Sequence, residues 1–232
     1  MTIAAALVAA DLALQRGIAR WNGVGDVPTA VAQAAYAEQR IELRLADRPA
    51  LTRRVLAHLP ARVARDVADD VMAYRSLARL TPPQPLSRFR VGAAAPATRL
   101  RTWYGEAQRR TAVPWQVLAA VNYVESDFGR LREASVAGAQ GPMQFVPSTW
   151  ATYGRGDVHD PHAAILGAAR FLRAAGAAVD LRRALYRYNP SWGYVDAIDR
   201  LAGRIRRDPA AYLVFYARRL IVRTPEGYRR LD

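Results

Sequence analysis

The chain has 232 residues, 51% of them hydrophobic and 23% charged: enough apolar material to bury a core, as one domain or as a main domain with a smaller companion. Cysteine is absent, which excludes disulfide scaffolds, thiolate metal sites and cysteine nucleophiles. The net charge of +14 comes from arginine alone, with no lysine, and suits anionic partners such as nucleic acid, acidic lipid or an anionic cell-wall polymer. No run of five basic residues and no recognisable binding motif accompanies that charge, so specific nucleic-acid binding is not expected.

Ile3 to Ala10 is apolar, but no basic residue precedes it and Asp11 ends it, which makes a poor export signal and a better start for an alanine-rich helix. Apolar spacings of three and four dominate from there on, and alternating β-branched runs are missing, so the reading is all-α. Thr29 is placed to cap a helix through about Ala46. Pro60 suits the first turn of another, with Val63, Val67, Val71, Tyr74 and Leu77 along one stripe. The stretch Thr81 to Ala97 holds Pro82, Pro83, Pro85 and Pro96 and cannot continue a helix; a boundary belongs there. The longest charge-free stretch, Ala134 to Gly154, is broken by Pro142 and Pro147, so no transmembrane segment is expected.

Beyond the boundary, helices are expected at about 98–110, 114–126, 147–153, 161–175, 181–188, 190–206 and 209–222. Asp160-Pro161, Asn189-Pro190 and Asp208-Pro209 supply caps, and Gly154, Gly176 and Gly227 supply stops. The chain divides into a helical N-terminal region of unknown role (1–80), a Pro-rich linker (81–97), a main helical domain (98–206), the candidate for any catalytic role, and a C-terminal helix and tail (207–232). Of the 21 aromatic residues, 13 fall between Trp103 and Tyr194, the lining expected either of a groove that stacks on rings or of an aromatic-rich core.

Glu125 is the only charge in the segment Pro114 to Ser126, and Asn122, Val121 and Leu118 share its helical face. Desolvation there disfavours the carboxylate and raises its pKa towards the range of a general acid. The alternative is a helix-end Glu that reaches solvent or pairs with Arg130 or Arg132. Downstream, Ser135 to Trp150 is a long uncharged loop rich in Gly and Gln. Its Gln144 can both donate to and accept from a sugar's hydroxyl or acetamido groups, whereas Met143 and Phe145, taken alone, read as core. In the third element Asn189 reads as a helix cap, and Tyr188 places a polar tip near that junction.

Glu125-Ser126, Gly141-Pro142-Met143-Gln144 and Tyr188-Asn189, in this order and at these separations, resemble the three motifs of the lysozyme-like lytic transglycosylases. The third is carried by the Tyr-Asn pair, with Leu185-Tyr186-Arg187 between Ala184 and Tyr188. The resemblance covers about residues 97 to 206 and implies a lysozyme-like fold, peptidoglycan glycan strands as substrate and an extracytoplasmic place in the cell envelope. It implies cleavage of the β-1,4 bond between N-acetylmuramic acid and N-acetylglucosamine, with Glu125 as the single acid and base and 1,6-anhydro ends as product. By the same resemblance Ser126 orients Glu125; Gln144 and Tyr188 contact substrate or the acid; Asn189 supports the site; Met143 and Phe145 wall the groove. No cofactor and no metal are expected, because Asp157-Val158-His159-Asp160 lacks the ligands of a calcium loop. His159 and His162 read as surface or first-turn residues. The competing readings are a goose-type lysozyme-like hydrolase, with Asp127 or Asp157 as its base, a non-catalytic glycan-binding protein held by its basic residues, and an Arg-rich nucleic-acid binder.

Overall fold

The computed structural model describes residues 1–132 and 138–231; Ser135, Val136 and Ala137 of the uncharged loop lie outside the described residues. Four helices form the N-terminal part: α1 (Ile3–Trp21), α2 (Thr29–Ala46), α3 (Pro49–Leu56) and α4 (Ala61–Ala78). Seven follow: α5 (Ala97–Thr111), α6 (Trp115–Ser126), α7 (Pro147–Tyr153), α8 (Pro161–Ala174), α9 (Leu181–Tyr188), α10 (Trp192–Arg207) and α11 (Ala211–Ala217). The fold is all-α, as the spacing predicts, with one small exception. The expected last helix stops at Ala217, and β1 (Ile221–Thr224) then pairs antiparallel with β2 (Gly227–Arg230). The local cause is Ile221-Val222-Arg223-Thr224, a β-branched run that leads into a Pro225-Glu226 turn, with Gly227 at φ +109°.

Capping chemistry sets the helix starts. Asp160 accepts from the His162 and Ala163 amides ahead of α8, and Asp180 accepts from Arg183 ahead of α9. Three expected caps move. Thr29 lies inside α2 behind Pro28, and the cap of α10 is Ser191, which accepts from the Tyr194 amide, while Asn189 ends α9. Pro190 therefore stands outside the helix, and α10 begins two residues later than its proline suggests. Asp208 ends α10, and α11 opens behind Ala210.

Helix α6 is the hub. Val117, Leu118, Ala119, Ala120 and Val121 are all buried, and α5, α8, α10 and α11 pack around them. The main core also takes Leu14, Ile18 and Trp21 from α1, Val31 and Ala35 from α2 and Ala73 from α4, so it is continuous across the Pro-rich stretch. A smaller core of Leu7, Leu45, Val55, Val63, Val67 and Val71 closes the N-terminal helices on one another. Helix α4 lies along α10. The seam is ionic: Asp69 meets Arg200 at 3.0 Å and Arg207 at 2.6 Å, and Asp66 meets Arg207 at 3.2 Å.

Candidate active site

Glu125 stands at the last turn of α6 with its side chain half-buried. Its Oε1 accepts a 2.6 Å hydrogen bond from the Tyr194 hydroxyl in the first turn of α10. Neither suggested arginine reaches it: Arg130 pairs with Asp127 at 3.2 Å and donates to the Tyr216 carbonyl, and Arg132 donates to the Ala93 carbonyl. Burial pushes Glu125 up to about 7, against the opposing pull of the Tyr194 hydrogen bond, and no charged side chain among the described residues adds to the shift. The carboxyl is thus poised to hold and release a proton near neutrality. Burial lifts the Tyr188 and Tyr194 hydroxyls well above the ordinary tyrosine range, with the charge of Glu125 next in weight, so both remain donors beside the carboxyl.

The second motif folds into a tight hairpin. Gln140 and Phe145 exchange two backbone hydrogen bonds of 2.8 Å, and Gln144 sits between them at φ +49°, its amide and its side chain both donating to the Gly141 carbonyl. Gly141 is required: at φ +73° a Cβ would lie 2.0 Å from the Val158 carbonyl oxygen. The hairpin is tied to α6 through Pro142, whose carbonyl accepts from Ser126 Oγ at 2.5 Å and Asn122 Nδ2 at 2.8 Å; Asn122 in turn accepts from the Tyr104 hydroxyl at 2.6 Å. On its other side the Met143 carbonyl accepts from the Tyr188 hydroxyl at 2.6 Å.

Glu125, Tyr188 and Tyr194 are therefore gathered at one place, with the hairpin of Gln144 roped to it by Ser126 and Tyr188. Three expectations change. Ser126 is 2% exposed and bonds the hairpin and the Gly129 amide rather than the Glu125 carboxyl. Met143 and Phe145, at 0% and 3% exposure, have no surface to offer a sugar; their side chains are core, with the Phe145 ring 5.2 Å from Trp150. Asn189 is half-buried and serves α9 by its backbone. His162 stacks on Trp103 and meets Glu106 at 2.8 Å, His159 is exposed, and the Asp157 carboxylate accepts from the His159 amide. Tyr194 was not singled out from the sequence; its signal was Ser191, the true cap of α10, which places Tyr194 in the first turn.

Asp127 follows α6 in the left-handed region at φ 49°, and burial pushes it up to about 6 in spite of Arg130. Elsewhere Glu38, Glu42 and Asp70 converge closely enough to ligate a metal ion. The Nη2 of Arg218 already sits on all three, at 3.0, 2.7 and 2.6 Å, so the protein's own cation fills that place.

Residues 103–202 match the family model described as the transglycosylase SLT domain. That stretch of the chain is similar to the lysozyme-like transglycosylases of the SLT family. Among curated proteins, the membrane-bound lytic murein transglycosylase F of Thiobacillus denitrificans is 31% identical over 121 residues, covering 49% of this chain and 26% of that protein. Membrane-bound lytic murein transglycosylase F 1 of Alkalilimnicola ehrlichii is 30% identical over 147 residues, covering 57% of this chain and 30% of its own. The chain thus spans less than a third of the length of these relatives. No solved structure matches it significantly. Glu125, Gln144, Tyr188 and Tyr194 all fall inside the SLT match; the N-terminal helices and the C-terminal hairpin fall outside it. No helix among the described residues is long and apolar enough to cross a membrane.

Proposed function

We infer that the protein is a peptidoglycan lytic transglycosylase acting at the cell envelope, with Glu125 as its one acid and base. The SLT match and the transglycosylase relatives support the reaction class, and the observation that carries the residue assignment is the carboxyl raised to about 7 by burial, held by a single tyrosine. In this reading the Glu125 carboxyl gives its proton to the glycosidic oxygen as the bond from C1 of N-acetylmuramic acid breaks. The substrate's 2-acetamido oxygen stabilises the positive C1. Glu125, now a carboxylate, takes the proton from the C6 hydroxyl, O6 closes on C1, and the carboxyl is restored. Water is neither consumed nor released.

Tyr194 orients the carboxyl and supports its ionised form midway through the cycle. Gln144, half-exposed on its hairpin, and Tyr188 beside the acid border the place where the sugar would lie. Ser126 acts through the hairpin, by holding Pro142. The net charge of +14 suits an anionic wall, and attraction to wall polyanions would add to strand binding. The test is Glu125→Gln on isolated sacculi. Turnover is expected to vanish while the variant stays folded, melting no lower than the parent, and still pulls down strands; retained turnover would take the acid's role away from Glu125.

A further inference from the structure

The cavity beside Glu125 reaches away from the SLT match. It measures about 260 Å³ and shares Glu125 and Tyr123 with α6, but its far wall is Leu77 and Ala78 at the end of α4, Pro82 and Phe89 of the Pro-rich stretch, and Val222 and Arg223 of β1. Two hydrogen bonds hold this wall together: the Gln84 amide donates to the Arg223 carbonyl at 3.0 Å, and the Arg223 guanidinium donates to the Ala78 carbonyl at 2.9 Å. The segments on either side of the matched stretch are thus joined to each other around a cavity that Glu125 also lines.

The chemistry of the lining narrows the occupant. Its polar groups are largely spent. The Tyr74 and Tyr123 hydroxyls bond each other at 3.1 Å, and Tyr74 also accepts from Arg218. The side-chain amide of Gln39 spans the backbone carbonyl and amide of Arg219. A sugar ring carries hydroxyls on most of its edges and would leave them unpaired against such a wall. A short peptide can turn methyl groups inward and keep its amides towards the open side. The local charge also selects: Arg223 lines the cavity with its guanidinium on the neutral Ala78 carbonyl, while Asp127 is offset by Arg130 and Glu125 is pushed towards its neutral form. A carboxylate-bearing guest is favoured there.

We propose that this cavity seats the peptide stem of the strand being cut, a short methyl-rich peptide with a free carboxylate, and so makes the N-terminal helices and the C-terminal hairpin a specificity element for the reaction. The proposal rests on the peptidoglycan reading above.

The experiment compares glycan strands that carry their stems with strands stripped of peptide by an amidase, using the full chain and two variants. Ala78→Phe fills the cavity from α4, and Arg223→Ala removes a cation from an exposed position on β1. Each is expected to cut kcat/KM on stem-bearing strands about tenfold, the scale of a lost pocket contact, and to leave stripped strands within about twofold of the parent. Turnover of stripped strands also shows that the variant is folded. If Ala78→Phe melts below the parent, Arg223→Ala carries the test. A variant that melts like the parent but loses both substrates equally, or loses neither, overturns the proposal. Failure of the parent on both substrates would instead remove the peptidoglycan reading itself.

Discussion

At the residue scale the account turns on one carboxyl. A lone Glu on an apolar helix was legible in the sequence because burial, charge and spacing all act within one helix. Its partner was not, because Tyr194 lies 69 positions further along and reaches Glu125 only when α10 crosses α6. Since the Tyr194 hydroxyl stabilises the ionised carboxyl, Tyr194→Phe should raise the Glu125 pKa above its value of about 7. The proton donor must be protonated, so the alkaline limb of the kcat/KM profile is expected to move to higher pH, with a lower plateau because the carboxyl is less well aimed; an unmoved limb would detach Tyr194 from the acid. Stability gives an independent reading. With a folded pKa above the unfolded value, the folded state binds more protons between about pH 4.5 and 7, so stability is greatest below that window and falls as pH rises through it. Glu125→Gln should flatten this slope and leave the variant more stable than the parent by about 2 kcal/mol at pH 8, on the scale of 1.36 kcal/mol per pKa unit reduced for a half-buried side chain. Denaturant melts at pH 4.5 and pH 8 measure it.

At the element scale, the caps and the second-motif hairpin decide what faces the cleft. Gly141, Pro142 and Gln144 read correctly as a specialised turn. What could not be read was that Ser126, next to the acid, ropes that turn rather than the carboxyl, since a serine hydroxyl's partner is fixed only in three dimensions. Ser126→Ala leaves the Gly129 amide without its acceptor in a buried place and takes one of two donors from the Pro142 carbonyl. A loss of about 1–3 kcal/mol in unfolding free energy is expected, with activity lowered because Gln144 moves with its hairpin. Full activity in a destabilised variant would mean that the hairpin's position does not matter to turnover. The apolar pair Met143 and Phe145 shows the limit of motif reading: they lie beside Gln144 in sequence, yet the chain reversal between Gln140 and Phe145 turns both side chains into the core. The C-terminal strands were not legible because Ile221-Val222-Arg223-Thr224, with three β-branched residues, follows closely on α11, and only its pairing with Gly227–Arg230 makes it a strand.

At the scale of the whole molecule, the N-terminal helices are locked to α10 and to the segment after α11 through a buried ionic node that no motif announced. Arg218, wholly buried after α11, bonds Glu38 and Glu42 of α2 and Asp70 of α4, while Arg204 of α10 bonds Asp70 from the other side. Three carboxylates face two guanidiniums, and burial, helped by Asp70 and Glu38 against the pull of Arg218, raises Glu42 well above its ordinary value, which favours its neutral form. Removing the cation and removing that acid should then differ sharply. Arg218→Leu strands buried carboxylates and is expected to cost about 3–5 kcal/mol, whereas Glu42→Gln mimics the protonated acid and should cost about 1 kcal/mol or less. Equal losses in urea melts would contradict a protonated Glu42. The node frames one side of the cleft, since Arg218 also donates to Tyr74, and Tyr74 meets Tyr123 two residues from Glu125. The proposed reaction has a single carboxyl both give and reclaim a proton, and the most direct measurement of it is digestion of sacculi in heavy-oxygen water. The account predicts anhydro ends with no label incorporated, and their disappearance with Glu125→Gln. Labelled reducing ends would mean that water attacks, and that the protein is a hydrolase.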